Sequence, residues 1–271
     1  MCLVIAHLGP IAVEENGSWL WVVAPLGATA WLYLRGMSRL PGTTAKGKRH
    51  VGAGCALALL LLIFAPPLER ATEMLFSAHM VQHLVLIAPI PVLLIYGHVG
   101  RGLVMGLPDP LRRTSWRLRH RAGRALDRLT TLPAIAVFFA LVIWGWHVPA
   151  LYDAAVAHEP IHLLEHASML AASFLFWDAV MDARRGFLGR SILVFGTAFQ
   201  TGLLGAVLVF ARSPLYESHL HQTFVSWSPL FDQQLAGLIM WVPMGGVFLS
   251  AVAVIFFQRL NEPESRLRVD V

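Results

Sequence analysis

Charged residues are scarce in this sequence, because Asp, Glu, Lys and Arg together supply only 14% of its 271 positions. A soluble globular domain carries about 25% charged residues. Hydrophobic residues here reach 56%, and the mean hydropathy is +0.62. Too few charges remain to cover a water-facing surface. The composition therefore excludes an ordinary soluble domain and predicts an all-α protein embedded in a membrane.

Cysteine and the common catalytic motifs are also missing. The two cysteines, Cys2 and Cys55, form no CxxC pair, which excludes a disulfide framework and a zinc knuckle. There is no HExxH motif, no serine-centred nucleophile elbow and no phosphate-binding loop. A hydrolase is thus disfavoured, and we expect a protein that is not an enzyme. Residues 1–17 contain two glutamates and no basic segment, so they predict an external tail rather than a signal peptide.

Long apolar stretches take the place of the missing polar residues. A helix needs about 20 mostly apolar residues to cross a bilayer. Seven stretches qualify, at 18–35, 51–68, 74–97, 132–150, 160–181, 190–211 and 233–257. We predict one seven-transmembrane-helix bundle over 18–258, with a cytoplasmic tail at 259–271. Pro89, Pro91 and Pro243 are expected to kink their spans rather than end them.

The basic residues set the predicted orientation. All 21 Lys and Arg residues except Arg70 and Arg212 fall between spans 1 and 2, 3 and 4, or 5 and 6, or after span 7. Basic loops stay in the cytoplasm, so we expect an external N-terminus and a cytoplasmic C-terminus. The pI of about 9.8 reflects these loops beside anionic lipid and does not indicate nucleic-acid binding. Residues 111–128 fit either a basic amphipathic helix on the inner leaflet or a solvated loop.

Histidines interrupt two of the predicted spans. His79 and His83 lie in span 3, His162 and His166 lie in span 5, and each pair shares one helix face. On the predicted topology the span 3 pair is on the order of 10–15 Å below the outer surface. Histidine in a membrane helix usually faces the bundle interior and marks a site, although it can simply bond to a neighbouring helix. We predict that the four imidazoles converge in one pocket.

Other histidines cluster towards the same outer side. His147 lies near the outer end of span 4, and His158 precedes Pro160 at the start of span 5. His7 falls in the external tail. For His219 and His221, in the outer loop before span 7, a solvated position is expected.

Clustered neutral imidazoles are ligands for copper, zinc and iron, and thioethers shift the preference towards Cu(I). The predicted metal ligands are His79, His83, His147, His158, His162 and His166. Residues expected to support them, through hydrogen bonds or contacts, are Glu165, Asp232, Gln233, Met169 and Met240. Ser228 and Pro229 are expected to begin the last span as its cap and first turn.

Four blocks of sequence resemble one known family. They are "HMVQHL", "WHVPALYDAAVAHEPIHLLEHASMLAASFLFW", "RSPLY" and "SPLFDQQLAGLIMWVP", in that order over about residues 60–258. They resemble the CtaG family of membrane assembly factors for haem-copper cytochrome c oxidase. The resemblance implies seven transmembrane helices and a role in building the oxidase, by supplying copper. Together with the residue patterns, it leads us to expect a plasma-membrane protein that binds copper in an outer-facing histidine site and passes it to the copper centre of an oxidase subunit. The matching residues are His79, His83, His147, His162, His166, Asp232, Gln233 and Trp241.

Three alternatives stay open from the sequence. A b-type haem protein would use one histidine ligand from span 3 and one from span 5. A metal or proton transporter would need polar groups continuing to the inner side, where these two spans offer little beyond Asp178 and Asp182. A scaffold with structural histidines would bind no metal.

Overall fold

The computed structural model describes residues 18–40, 46–220 and 226–261, and within those ranges it contains α-helices, two 3₁₀ turns and no strand. The predicted external tail, His7, His221 and residues 262–271 of the predicted cytoplasmic tail lie outside the described ranges. The helices are α1 (Ser18–Arg39), α2 (Lys46–Ile63), α3 (Pro66–Met74), α4 (Phe76–Ile87), α5 (Pro89–Tyr96), α6 (Val99–Gly106), α7 (Asp109–Leu129), α8 (Leu132–Trp146), α9 (Pro149–Ala157), α10 (Glu159–Met181), α11 (Phe187–Phe210) and α12 (Pro229–Leu260). The chain is an all-helical membrane protein.

Prolines decide where several helices begin. A proline has no N–H to donate, so it suits the first turn of a helix and ends the helix before it. α3, α5, α9 and α12 all begin at such a proline. Span 3 was expected to continue through Pro89 with a kink, and this is confirmed: the helix is interrupted only at Ala88, between α4 and α5, and Phe76–Tyr96 qualifies as one span. Pro243, by contrast, lies inside an uninterrupted α12, as predicted.

Three to five segments qualify as membrane spans by length and apolarity among the described residues. Phe76–Tyr96, Phe187–Phe210 and Pro229–Leu260 qualify alone. Two further spans result if each bent helix pair crosses as one unit. These pairs are α2 with α3, bent by 54°, and α8 with α9, bent by 70°. The expected count of seven stays a prediction.

The core forms where α10, α11 and α12 pack together with α4 and α8. Phe139, Phe176 and Phe248 are fully or almost fully buried there. α11 and α12 approach closely at two glycines. A Cβ added at Gly237 would lie 2.7 Å from the carbonyl oxygen of Gly205. Side chains larger than hydrogen would separate these backbones, as in other small-residue interfaces between membrane helices.

One end of the bundle, called here the histidine end, is where α4, α10 and α12 begin. Ser228 caps α12 there, accepting a hydrogen bond from the backbone N–H of Phe231. At the opposite end, called the basic end, buried Arg190 donates to the backbone carbonyl of Val180 on α10 and to Gln258 on α12. Arg185 donates to the carbonyl of Thr130, between α7 and α8, near the same end.

Candidate metal centre

Two helices bring four histidines together at the histidine end. On α4 the Nε2 atoms of His79 and His83 lie 2.8 Å apart. On α10 the ring centroids of His162 and His166 lie 4.2 Å apart. Across the two helices, the rings of His79 and His162 lie 5.3 Å apart, and so do those of His83 and His166. The four-residue spacing therefore places two facing pairs of imidazoles in contact.

Glu165 lies among these imidazoles and is fully buried. Its carboxylate oxygens are 3.7 Å from Nε2 of His79 and 3.5 Å from Nε2 of His83. The sequence predicted a supporting position for Glu165, but the structure puts it in the middle of the group. One ligand atom from each of His79, His162, Glu165 and His166 lies within 4.8 Å of all the others.

Several polar side-chain atoms in and beside this group lack hydrogen-bond partners among the described residues. They are both carboxylate oxygens of Glu165, Nδ1 of His83 and the Nε2 atoms of His147, His162 and His166. Leaving a buried polar atom unsatisfied costs about 1–3 kcal/mol, and more for a charged group. Native proteins seldom gather several such atoms at one place. The arrangement is typical of a site that a cation completes.

His147 borders this group at the bend between α8 and α9. Its ring centroid is 6.2 Å from that of His83. Nδ1 of His147 donates to the carbonyl oxygen of Ile143 at 2.7 Å, because a carbonyl can only accept. The proton is then on Nδ1, which leaves the lone pair on Nε2. Metal-binding histidines are usually fixed by such a bond from their other nitrogen.

Asp232 and Gln233 reach the site through the backbone. Asp232 accepts hydrogen bonds from the N–H groups of Phe76 and Ser77, at 2.7 and 3.2 Å, and from the Ser77 hydroxyl. These bonds cap α4 one turn before His79. Gln233 accepts from the N–H of Leu215 and donates to a backbone carbonyl on α11. Direct bonds from these two residues to histidines were expected. That expectation stays a prediction; the bonds described here hold α4 and the loop before α12.

Met169 and Met240, the two expected thioether contacts, lie in the apolar core. Met169 is fully buried and Met240 nearly so, within the main hydrophobic cluster.

His158 does not join the group of ligand atoms. It is exposed and has an extended backbone, with φ −134° and ψ 111°, just before α10. His158 is the residue that immediately precedes α10, a position at which the backbone is typically extended. His158 fits the four-residue repeat of histidines, but α10 begins only after it, so its side chain does not join the group.

His219 was expected in a solvated loop, and this expectation was wrong. Its side chain is buried, and its Nε2 atom lies 2.9 Å from the hydroxyl oxygen of Tyr152. Asp153 holds the turn that carries His219, because it accepts hydrogen bonds from the N–H groups of Glu217 and Ser218 and from the Ser218 hydroxyl. The loop is thus fixed against α9.

Tyr152 connects this loop to the imidazole group. Its ring centroid lies 5.1 Å from that of His79. Tyr216, from the same loop as His219, donates to the carbonyl oxygen of His147 at 3.0 Å. The sequence gave no local signal for these contacts, because the partners are 67 and 69 positions apart.

The geometry suits a metal ion held by imidazoles and one carboxylate. Ligands on opposite sides of an ion, each at about 2.1 Å, lie about 4.2 Å apart. The spread of up to 4.8 Å in this group is slightly larger, so small side-chain rotations would close it.

Comparison with known proteins agrees with the resemblance found in the sequence. No curated protein and no solved structure matches this chain significantly. A family model, described as the cytochrome c oxidase caa3 assembly factor, matches residues 31–262. This match extends from α1 past the end of α12 and includes every residue of the candidate metal centre. The chain therefore belongs to the family of cytochrome c oxidase caa3 assembly factors.

Proposed function

We propose that this assembly factor binds copper and supports its delivery to a copper centre of the oxidase. The proposed binding site, called here the His–Glu group, comprises His79, His83, His162, Glu165 and His166. One observation carries the proposal: buried imidazole nitrogens and both Glu165 oxygens lie together without hydrogen-bond partners among the described residues. Imidazole suits copper, zinc, iron and nickel, and Cu²⁺ binds most strongly among the divalent ions of this series. Copper is also what an oxidase under assembly requires. The ion is cargo here, so no turnover of a substrate is proposed.

An acidic rim beside the group favours cations. His162 is only half-buried, whereas His79, His83 and His166 are buried. Glu159 begins α10 one turn before His162, and Glu69 on α3 lies close enough to Glu73 and Glu159 for their charges to interact. Acidic groups around a low-dielectric opening raise the local concentration of cations. We propose that the ion reaches the group past His162.

The proposed topology has seven spans in the plasma membrane, with the histidine end outside. Its support is the distribution of Lys and Arg, which leaves only Arg70 and Arg212 for the outer loops. α1 and α10 have 22 and 23 residues, which is long enough for the two spans beyond the five. On this topology the copper would be handed to the external face of an oxidase subunit.

Haem is the less favoured cofactor. A porphyrin held between an α4 and an α10 histidine would need a broad, flat space between the two helices. The ring centroids of the central imidazoles are instead 4.2–5.9 Å apart, and Glu165 lies among them. This spacing favours a bare ion. A transporter would need a polar path to the basic end, and a scaffold gives no reason for the polar atoms that lack hydrogen-bond partners among the described residues.

The experiment compares His166→Ala and His83→Ala with His158→Ala as a matched control. His158 is exposed on the same side of the bundle but lies outside the group. The two buried changes should lower copper affinity by about 10–100-fold, as expected for loss of a group at a metal site. We would measure the copper content and the Soret absorbance of each purified variant. In cells, we would measure the copper content and the activity of the oxidase.

The proposal would be contradicted if wild-type protein, purified from cells grown with ample copper, contained no copper. A strong Soret band would favour the haem alternative. Normal oxidase copper in cells carrying either buried variant, at normal protein levels, would mean that these histidines only pack.

A further inference from the structure

α7 carries an apolar stripe that the rest of the described structure leaves uncovered. Leu111 and Leu118 are 56% and 60% exposed, and Ala122 is exposed as well. Their spacing of seven and four residues puts all three on one helix face. The main packing contacts of α7 are with α6 and α8, its neighbours along the chain. Among the described residues, therefore, no packing partner covers the stripe.

Arginines flank the stripe on both sides. On a helical projection at 3.6 residues per turn, Arg117 and Arg121 lie along one side of the stripe, and Arg112 and Arg119 lie along the other. Arg112 pairs with Asp109 at 2.8 Å. Within the part of the chain that the structure describes, the other three arginines have no ion pair or hydrogen bond. An apolar stripe between two basic rows is the pattern of a helix lying in a membrane interface.

We propose that α7 docks on the anionic phospholipid leaflet at the basic end of the bundle. The stripe would enter the boundary between headgroups and acyl chains, while the arginines contact lipid phosphates. Charge complementarity selects this occupant, because basic segments beside a membrane span are attracted to anionic lipid. α7 contacts α6 and α8, its neighbours along the chain, and these contacts would hold it beside the membrane-spanning part of the protein. A soluble polyanion would use the arginines but would leave the leucines in water.

The test places a spin label on either face of α7 in the full-length protein. Cys2 and Cys55 are first changed to Ser, and a single cysteine is then introduced by Leu118→Cys on the stripe or by His120→Cys. On the same projection His120 lies on the opposite side of the helix from Leu118, and it is exposed. Accessibility to oxygen and to a water-soluble nickel complex is measured in nanodiscs of phosphatidylcholine alone and of phosphatidylcholine mixed with phosphatidylglycerol.

The label at position 118 should become protected from nickel and accessible to oxygen when phosphatidylglycerol is present. The label at position 120 should stay in water in both lipids. Changing Arg117, Arg119 and Arg121 together to Gln should abolish the dependence on phosphatidylglycerol. Salt at about 1 M should weaken it, because the screening length then falls to about 3 Å.

Three results would overturn the proposal. The label at 118 could stay as accessible to nickel as the label at 120, which would mean that the stripe faces water. If the label at 118 were equally protected from nickel in both lipid compositions, the arginines would not be selecting anionic lipid. Protection of the label at position 120 from nickel, in nanodiscs that each hold a single copy of this protein, would mean that α7 folds back on its own chain.

Discussion

Replacing Glu165 with Gln would separate a metal ligand from a structural carboxylate. The change keeps the size of the side chain but removes its charge. Glu165 is fully buried, and neither carboxylate oxygen has a hydrogen-bond partner among the described residues. A buried charge without partners costs more than a buried neutral amide, so Glu165→Gln should not destabilise the metal-free protein and should stabilise it to the extent that the carboxylate is charged there.

Copper binding should change in the opposite direction. A carboxylate about 4 Å from a single positive charge gains about 4 kcal/mol at an effective dielectric constant of about 20, and more from a doubly charged ion. Loss of this attraction corresponds to roughly a thousandfold weaker binding. This exceeds the effect expected for loss of one imidazole, because a neutral ligand contributes no charge.

The assays are thermal unfolding of the metal-free protein and competition for Cu(I) with a coloured chelator, both in the same detergent. Glu159→Gln is the matched control, because Glu159 begins the same helix but is exposed. The control should alter both quantities only slightly. If Glu165→Gln lowers the stability of the metal-free protein and leaves copper affinity unchanged, Glu165 has structural partners and the site assignment is wrong.

The other predictions concern packing, positioning and topology. Gly237→Ala should destabilise the fold by about 1–3 kcal/mol through overpacking against α11. Gly245→Ala is the control and should be tolerated, because an added Cβ there meets nothing within 4 Å. Thermal unfolding of the two variants measures the difference. Asp232→Ala should weaken the cap of α4 by about 0.5–2 kcal/mol and lower copper affinity, and unchanged values of both would contradict its positioning role. Reporter fusions after Arg121 and after Val271 should be active only in the cytoplasm, and an external signal from either would reverse the proposed topology.

The convergence of the histidines could be predicted because it rests on local periodicity. Residues four apart on a helix share a face, so His79 with His83 and His162 with His166 needed only two helices and their contact. The cap of α12 at Ser228 and its proline at the first turn were equally local. These features depend on a few consecutive residues, and the sequence displays them directly.

Contacts between distant segments could not be predicted in the same way. Burial of His219 depends on Tyr152 and on the turn that Asp153 holds, more than 60 positions earlier in the chain. His158 shows the opposite error. Its spacing matched the repeat, but the start of α10 left it exposed. A repeat of residues gives a shared face only where the helix includes all of them.

The polar residues of the site also make the helix that carries them harder to recognise as a membrane span from its sequence. His162, Glu165 and His166 interrupt the apolar run of α10, and this 23-residue helix is not among the segments that qualify as spans by apolarity. Yet two of these three side chains are buried, and α10 packs against α4, α5, α8 and α9. A membrane helix can hold polar groups when neighbouring helices cover them, because those groups then avoid lipid. On the proposed topology α10 is a membrane span, and the helices that cover its polar side chains support this position better than its own composition does.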